Sequence, residues 1–119
     1  MQDIIDFLRR LAANNNREWF TAHKEECKAV QAQFATWVEK LAARMAADDP
    51  TLVGLTARDM TYRIYRDTRF SHDKTPYKTH MGAFICRGGR KSGYAGYYFQ
   101  LGAEDNRADF DSFHWETQH

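Results

Sequence analysis

Five cations, Arg63, Arg66, Arg69, Lys74 and Lys78, fall within sixteen positions of this 119-residue chain, interleaved with Asp67 and Asp73 and followed by His80. Guanidinium forks grip phosphate or carboxylate through paired hydrogen bonds, and an ammonium adds a point charge. These residue types at this density point to an anion-binding loop whose cations Asp67 and Asp73 orient. A catalytic version needs a proton acceptor. Asp67 or His80 would serve as base on a phosphoester while the cations stabilise developing charge. The competing reading uses the same residues as internal ion pairs, Asp67 with Arg69 and Asp73 with Lys74, that only fix a crossing between two strands. The surplus favours a ligand: residues 58–91 hold nine Lys/Arg against three Asp/Glu, too many cations to be neutralised locally.

Other chemistries fit less well. His72, Asp73, His80 and Asp67 match no recognised ligand spacing, so neither a metal nor another cofactor is expected. Residues 71–74 have S-x-x-K spacing, but Thr75-Pro76 directly after them opposes the helix that would bring Ser71 and Lys74 together, and the companion motifs are missing. Ser71, His72 and Asp73 are consecutive, whereas a catalytic triad converges from separate elements. Gly88, Gly89, Gly93 and Gly96 precede a strand pattern and not a helix, which makes them hairpin punctuation and not a phosphate loop. A surface for nucleic acid, or for another protein, is the non-enzymatic alternative. Tyr65, Tyr94, Tyr97, Tyr98 and Phe99 lie among basic residues and can stack bases. Against it, half of any strand faces inward, which would place most of these rings in the core, and a net charge of +1 is low for a dedicated nucleic-acid domain.

Length and composition bound the rest. A chain of this size builds one domain, 1–119, with a single core. No stretch approaches the roughly 20 apolar residues that span a bilayer, and the N-terminus has Asp3 and Asp6 where a secretory signal has basic residues, so a cytoplasmic protein without membrane partners is expected. Cys27 and Cys86 are far apart and read as small buried hydrophobes, not as a disulfide or a reactive thiol. Charge is uneven: +6 over residues 58–91 and −4 over 92–119. The acidic end is thus a candidate cover for the basic segment.

The elements that must position the loop follow from periodicity. Ile4, Leu8 and Leu11 mark a short first helix. Asn15 and Glu18 have the spacing of a capping box, after which an apolar stripe runs through Trp19, His23, Cys27, Val30, Phe34, Val38, Leu41 and Met45, predicting one long amphipathic helix to about Asp48. His23 on that stripe reads as a hydrogen-bonded core histidine. Alternation at 61–66, 80–87 and 94–102 predicts three strands, with residues 88–93 as a hairpin loop. The fold class is α+β: a short and a long helix packed on an antiparallel sheet of at least three strands.

Two segments together resemble a known family. Asn16, Arg17, Trp19 and Phe20, followed by Arg66, Asp67, Arg69, Phe70, Ser71, Asp73, Lys74, Pro76, Tyr77 and Lys78, are similar to the hallmarks of the uncharacterised microbial proteins grouped as domain of unknown function 2461. The resemblance covers residues 4–101 and implies a functional role for the charged loop without implying a reaction. Family members continue beyond the second aromatic strand with a glycine-rich turn, further strands and helices. Residues 103–119 depart from that pattern as a divergent or truncated tail.

Overall fold

In a computed structural model, the described residues are 2–104 and 115–118, apart from Asp67, Phe70, Ser71 and Asp73. The order is α1 (Gln2–Ala13), α2 (Arg17–Ala22), α3 (Lys24–Met45), a 3-10 turn (Pro50–Leu52), α4 (Ala57–Met60), β1 (His80–Cys86), β2 (Gly96–Gly102) and β3 (Trp115–Gln118). The expected α+β arrangement of helices on one face of an antiparallel sheet is present. β1 and β2 pair from His80↔Gly102 to Cys86↔Gly96, and β3 pairs with β2 from Phe99↔Trp115 to Gly96↔Gln118.

The core lies between that sheet and the helices. α1 contributes Ile4, Ile5, Phe7, Leu8 and Leu11, all inaccessible to solvent. Each such side chain contributes about 1.5–3 kcal/mol by leaving water, which is why so short a helix is stable here. α3 buries Cys27, Val30, Phe34, Val38 and Ala42 at steps of three and four, and Trp37 meets Phe99 of β2 edge-on at 6.2 Å. Met81, Ala83 and Ile85 of β1 complete the core. Both cysteines are buried and free, and burial pushes the Cys27 thiol up to about 11.

Three expectations need correction. The long helix is broken at His23, whose φ of −114° and ψ of 20° leave the helical region. Its imidazole stacks on Trp19 at 3.9 Å and donates from Nδ1 to the Trp19 carbonyl at 2.8 Å, so α2 and α3 meet at a hinge while the apolar stripe continues across it. The cap of α2 is Asn16, which accepts from the Trp19 N–H at 2.8 Å, and not Asn15. Residues 61–66 do not form a strand: Thr61 bridges Ala83 of β1, Tyr65 bridges Tyr77, and no ladder connects them. Of the three strands read from the sequence, β1 and β2 form. The tail as a cover for the basic segment falls largely outside the described residues.

Asn15 has a different task. Its Nδ2 donates to the Tyr77 carbonyl at 2.9 Å, and the Tyr77 N–H donates back to its Oδ1 at 3.1 Å. The Tyr77 ring stacks on Phe20 at 4.0 Å and 16°. The turn between α1 and α2 therefore holds the far end of the charged loop by an amide clamp and a ring stack. Asn15→Ala is expected to cost about 1–3 kcal/mol, since it leaves two partly buried backbone groups unsatisfied. Asn16→Ala, which removes only a cap, is expected to cost about 1 kcal/mol. Urea unfolding measures both, and hydrogen exchange at the Arg66 and Lys78 amides should accelerate in the first variant more than in the second.

Candidate functional site

Clamping Tyr77 organises the charged segment on either side of it. The Arg66 N–H donates to the Pro76 carbonyl at 3.0 Å and the Lys78 N–H to the Ile64 carbonyl at 2.7 Å, so residues 64–66 and 76–78 run as a narrow antiparallel pair with the loop 67–75 at its end. Among the described residues, Arg66 and Lys74 both bond to oxygens of that loop. Arg66 Nη1 donates to the Thr75 carbonyl at 3.0 Å and to Thr75 Oγ1 at 2.6 Å, and Lys74 Nζ donates to the Thr68 carbonyl. Arg69 is exposed on the loop. Asp67 and Asp73, expected to orient the cations, and the ion pairs expected of them lie outside the described residues.

The remaining two, Arg63 and Lys78, converge with a third cation that the sequence reading passed over. Gly89, at φ +91°, brings the hairpin backbone against α4, where a Cβ would stand 3.2 Å from the Asp59 carbonyl oxygen. That approach lets the Arg90 N–H donate to the same oxygen at 2.8 Å and Arg90 Nε donate to the Thr61 carbonyl at 2.9 Å. Asp59 is itself held by accepting from the Thr56 N–H and hydroxyl, each at 3.0 Å, which keeps its carboxyl below the usual range. Arg90 Cζ then lies 5.4 Å from the centre of the Tyr62 ring, and Lys78 Nζ lies 5.7 Å from it. Among the described residues, none of Arg63, Lys78 and Arg90 forms an ion pair.

The electrostatic signature is that of uncompensated charge. Desolvation lowers the Lys78 pKa, and repulsion from Arg63 and Arg90 lowers it further. His80, half-buried two residues on, is lowered by desolvation and then by Lys78. Two cavities share His80 as a wall. One, of about 350 Å³, lies between α3 and residues 61–64 and is lined by Gln31, Ala35, Tyr62 and Met81 among others. The second, of about 330 Å³, includes Asn15, Arg66, Thr75 and Lys78. Among the described residues no group of three or more His, Cys, Asp or Glu is placed to hold a metal ion.

The aromatic residues weighed as a nucleic-acid surface divide. Phe99 is buried and Tyr97 packs against the core, whereas Tyr65 and Tyr94 are about half exposed, so fewer of these rings face inward than expected. Arg90 gave no local signal beyond its place among the basic residues, because its position depends on the contact between Gly89 and Asp59. Tyr62 lies in the alternating segment 61–66, and the sequence carries no signal that sets it apart as a site residue.

This is a small α+β domain with a clustered, uncompensated basic site at the junction of a clamped loop and a hairpin. The sequence profile described as Conserved hypothetical protein (DUF2461) matches residues 3–115, and the chain belongs to that family. No curated protein and no solved structure matches it. Among the described residues no helix is long and apolar enough to cross a membrane.

The His80 shift has a measurable sign. A histidine whose folded pKa is depressed favours folding fully above its ordinary value, about 6.5, and that contribution is lost as pH falls below it, because the unfolded chain takes up the proton more readily. The unfolding free energy from urea titrations should fall between about pH 7 and pH 5. His80→Gln should flatten this part of the profile; an unaltered profile would contradict the assignment.

Proposed function

We propose that this chain is a cytoplasmic anion-binding domain whose ligand presents a phosphate or carboxylate to Arg63, Lys78 and Arg90. The observation that carries this reading is that Lys78 and Arg90 both lie against the Tyr62 ring and Arg63 is near enough to repel Lys78, with no carboxylate paired to them among the described residues and with Lys78 partly desolvated. Such an arrangement is unfavourable in isolation. An anion would relieve it, since opposite charge restores the cost of desolvating the ammonium. Arg66 lines the adjoining cavity and steadies Thr75, while Lys74 closes the loop; both support the site from within. In a hydrolytic extension of this reading, His80 is the base, because its lowered pKa leaves the imidazole unprotonated near neutral pH. Asp67, the alternative base, lies outside the described residues.

Thermal melts at low ionic strength test the binding step. Inorganic phosphate, pyrophosphate and citrate should each raise Tm, since a ligand of the native state stabilises it by mass action. Lys78→Gln should abolish these shifts while melting no lower than the wild type without ligand, because it removes a repelled and desolvated charge. Arg66→Ala should instead lower Tm with or without anions. If no anion raises Tm, or if Lys78→Gln keeps the full shifts, the reading is wrong.

A further inference from the structure

The cation cluster does not stand on an open surface. Beside it lies the cavity between α3 and residues 61–64, whose volume of about 350 Å³ is at the lower end of the range for small-molecule sites, roughly 300–1,000 Å³. Its walls differ in kind. Ala32 and Ala35 offer small, flat apolar surface on α3, and the buried side chains of Phe34 and Met81 close it on the core side. Tyr62 forms part of the opposite wall with 41% of its surface exposed, its backbone fixed by donating to the Gly82 carbonyl at 3.1 Å. Gln31 and His80 add the polar groups: an amide that can both donate and accept, and a largely neutral imidazole that can do the same.

We infer that the site takes a nucleotide unit, with the heteroaromatic ring entering this cavity against Tyr62 and the phosphate lying on Arg63, Lys78 and Arg90. The inference rests on the anion-binding reading above and adds the chemistry of the group that carries the anion. A bare phosphate has no use for the apolar wall of this cavity. A sugar phosphate offers no flat ring to Tyr62, and an aliphatic acid with its carboxylate on the cations leaves no polar edge for Gln31 inside the cavity. A base meets all three demands, because its faces stack on a tyrosine and its edges exchange hydrogen bonds with an amide. Arg90 and Lys78 beside the Tyr62 ring place positive charge where a stacked base and its phosphate meet. The same unit occurs free and within a single strand of nucleic acid.

Calorimetric titration of the full chain at low salt with adenosine 5′-monophosphate, uridine 5′-monophosphate, ribose 5-phosphate and a single-stranded hexanucleotide tests this. The monophosphates should bind at least about tenfold more tightly than ribose 5-phosphate, the scale of one base–aromatic stack. Tyr62→Leu removes the stacking ring and Ala35→Leu fills the cavity from the α3 side. Either should erase that preference, and Ala35→Leu, which touches none of the three cations, should leave ribose 5-phosphate binding in place. A hexanucleotide that binds more tightly than the monophosphates supports the inference with a single strand as source; one that binds no more tightly supports it with the free nucleotide. Equal affinity for ribose 5-phosphate and both monophosphates overturns the nucleotide inference and leaves the anion site standing. Failure of every phosphate compound to bind overturns both.

Discussion

The paired hydrogen bonds between the Asn15 amide and the Tyr77 backbone set the geometry of the segment that leads from the charged loop into β1. They place Tyr77 with its ring against Phe20, and in an extended segment the next side chain points the opposite way. Lys78 is thereby directed away from the core toward Tyr62, and His80 opens β1 between two cavities. A single asparagine in a helix–helix turn thus acts at a distance of sixty-two residues, because backbone groups inside a protein must find partners and the side-chain amide supplies a donor and an acceptor at the spacing of one residue's C=O and N–H.

The cations of the middle segment divide into two populations with different physics. Arg66 and Lys74 donate to carbonyl and hydroxyl oxygens of the loop, which orders the chain without requiring any counter-charge. Arg63, Lys78 and Arg90 repel one another at a partly desolvated place, an arrangement that detracts from stability. Folding tolerates it because the groups that bring them together, the Tyr77 clamp and the contact of the hairpin with α4, are independently favourable. Clusters with this character mark candidate binding sites.

Much of the helical layer was legible in the sequence, since α1 and α3 bury residues at the expected steps of three and four. The break at His23 was not legible, because the apolar stripe runs through it without a phase change. Residues 61–66 do alternate, and Ile64 is buried, but alternation reports which way side chains face and not whether neighbouring strands are available to pair. The stretch that holds the candidate site stands out in the sequence by its charge density and by the family hallmarks. Its composition was only partly readable, for Lys78 and Arg63 carry a local signal while Arg90 is brought in by a contact thirty-one residues back in the chain, from the Asp59 carbonyl to the Arg90 amide.

Hairpin loops ordinarily absorb insertions and deletions with little effect, being the part of a sheet least committed to its surroundings. The loop between β1 and β2 is committed at both levels. Its turn is knit by the Gly89 N–H donating to the Cys86 carbonyl and by Ser92 Oγ donating to the Arg87 carbonyl, and its tip is docked on α4 through Gly89 and Arg90. Its length is therefore a measured reach: one residue more or fewer would leave the sheet intact but carry the Arg90 guanidinium away from Tyr62. Relatives whose loops differ in length here would share the fold and lose one corner of the basic site.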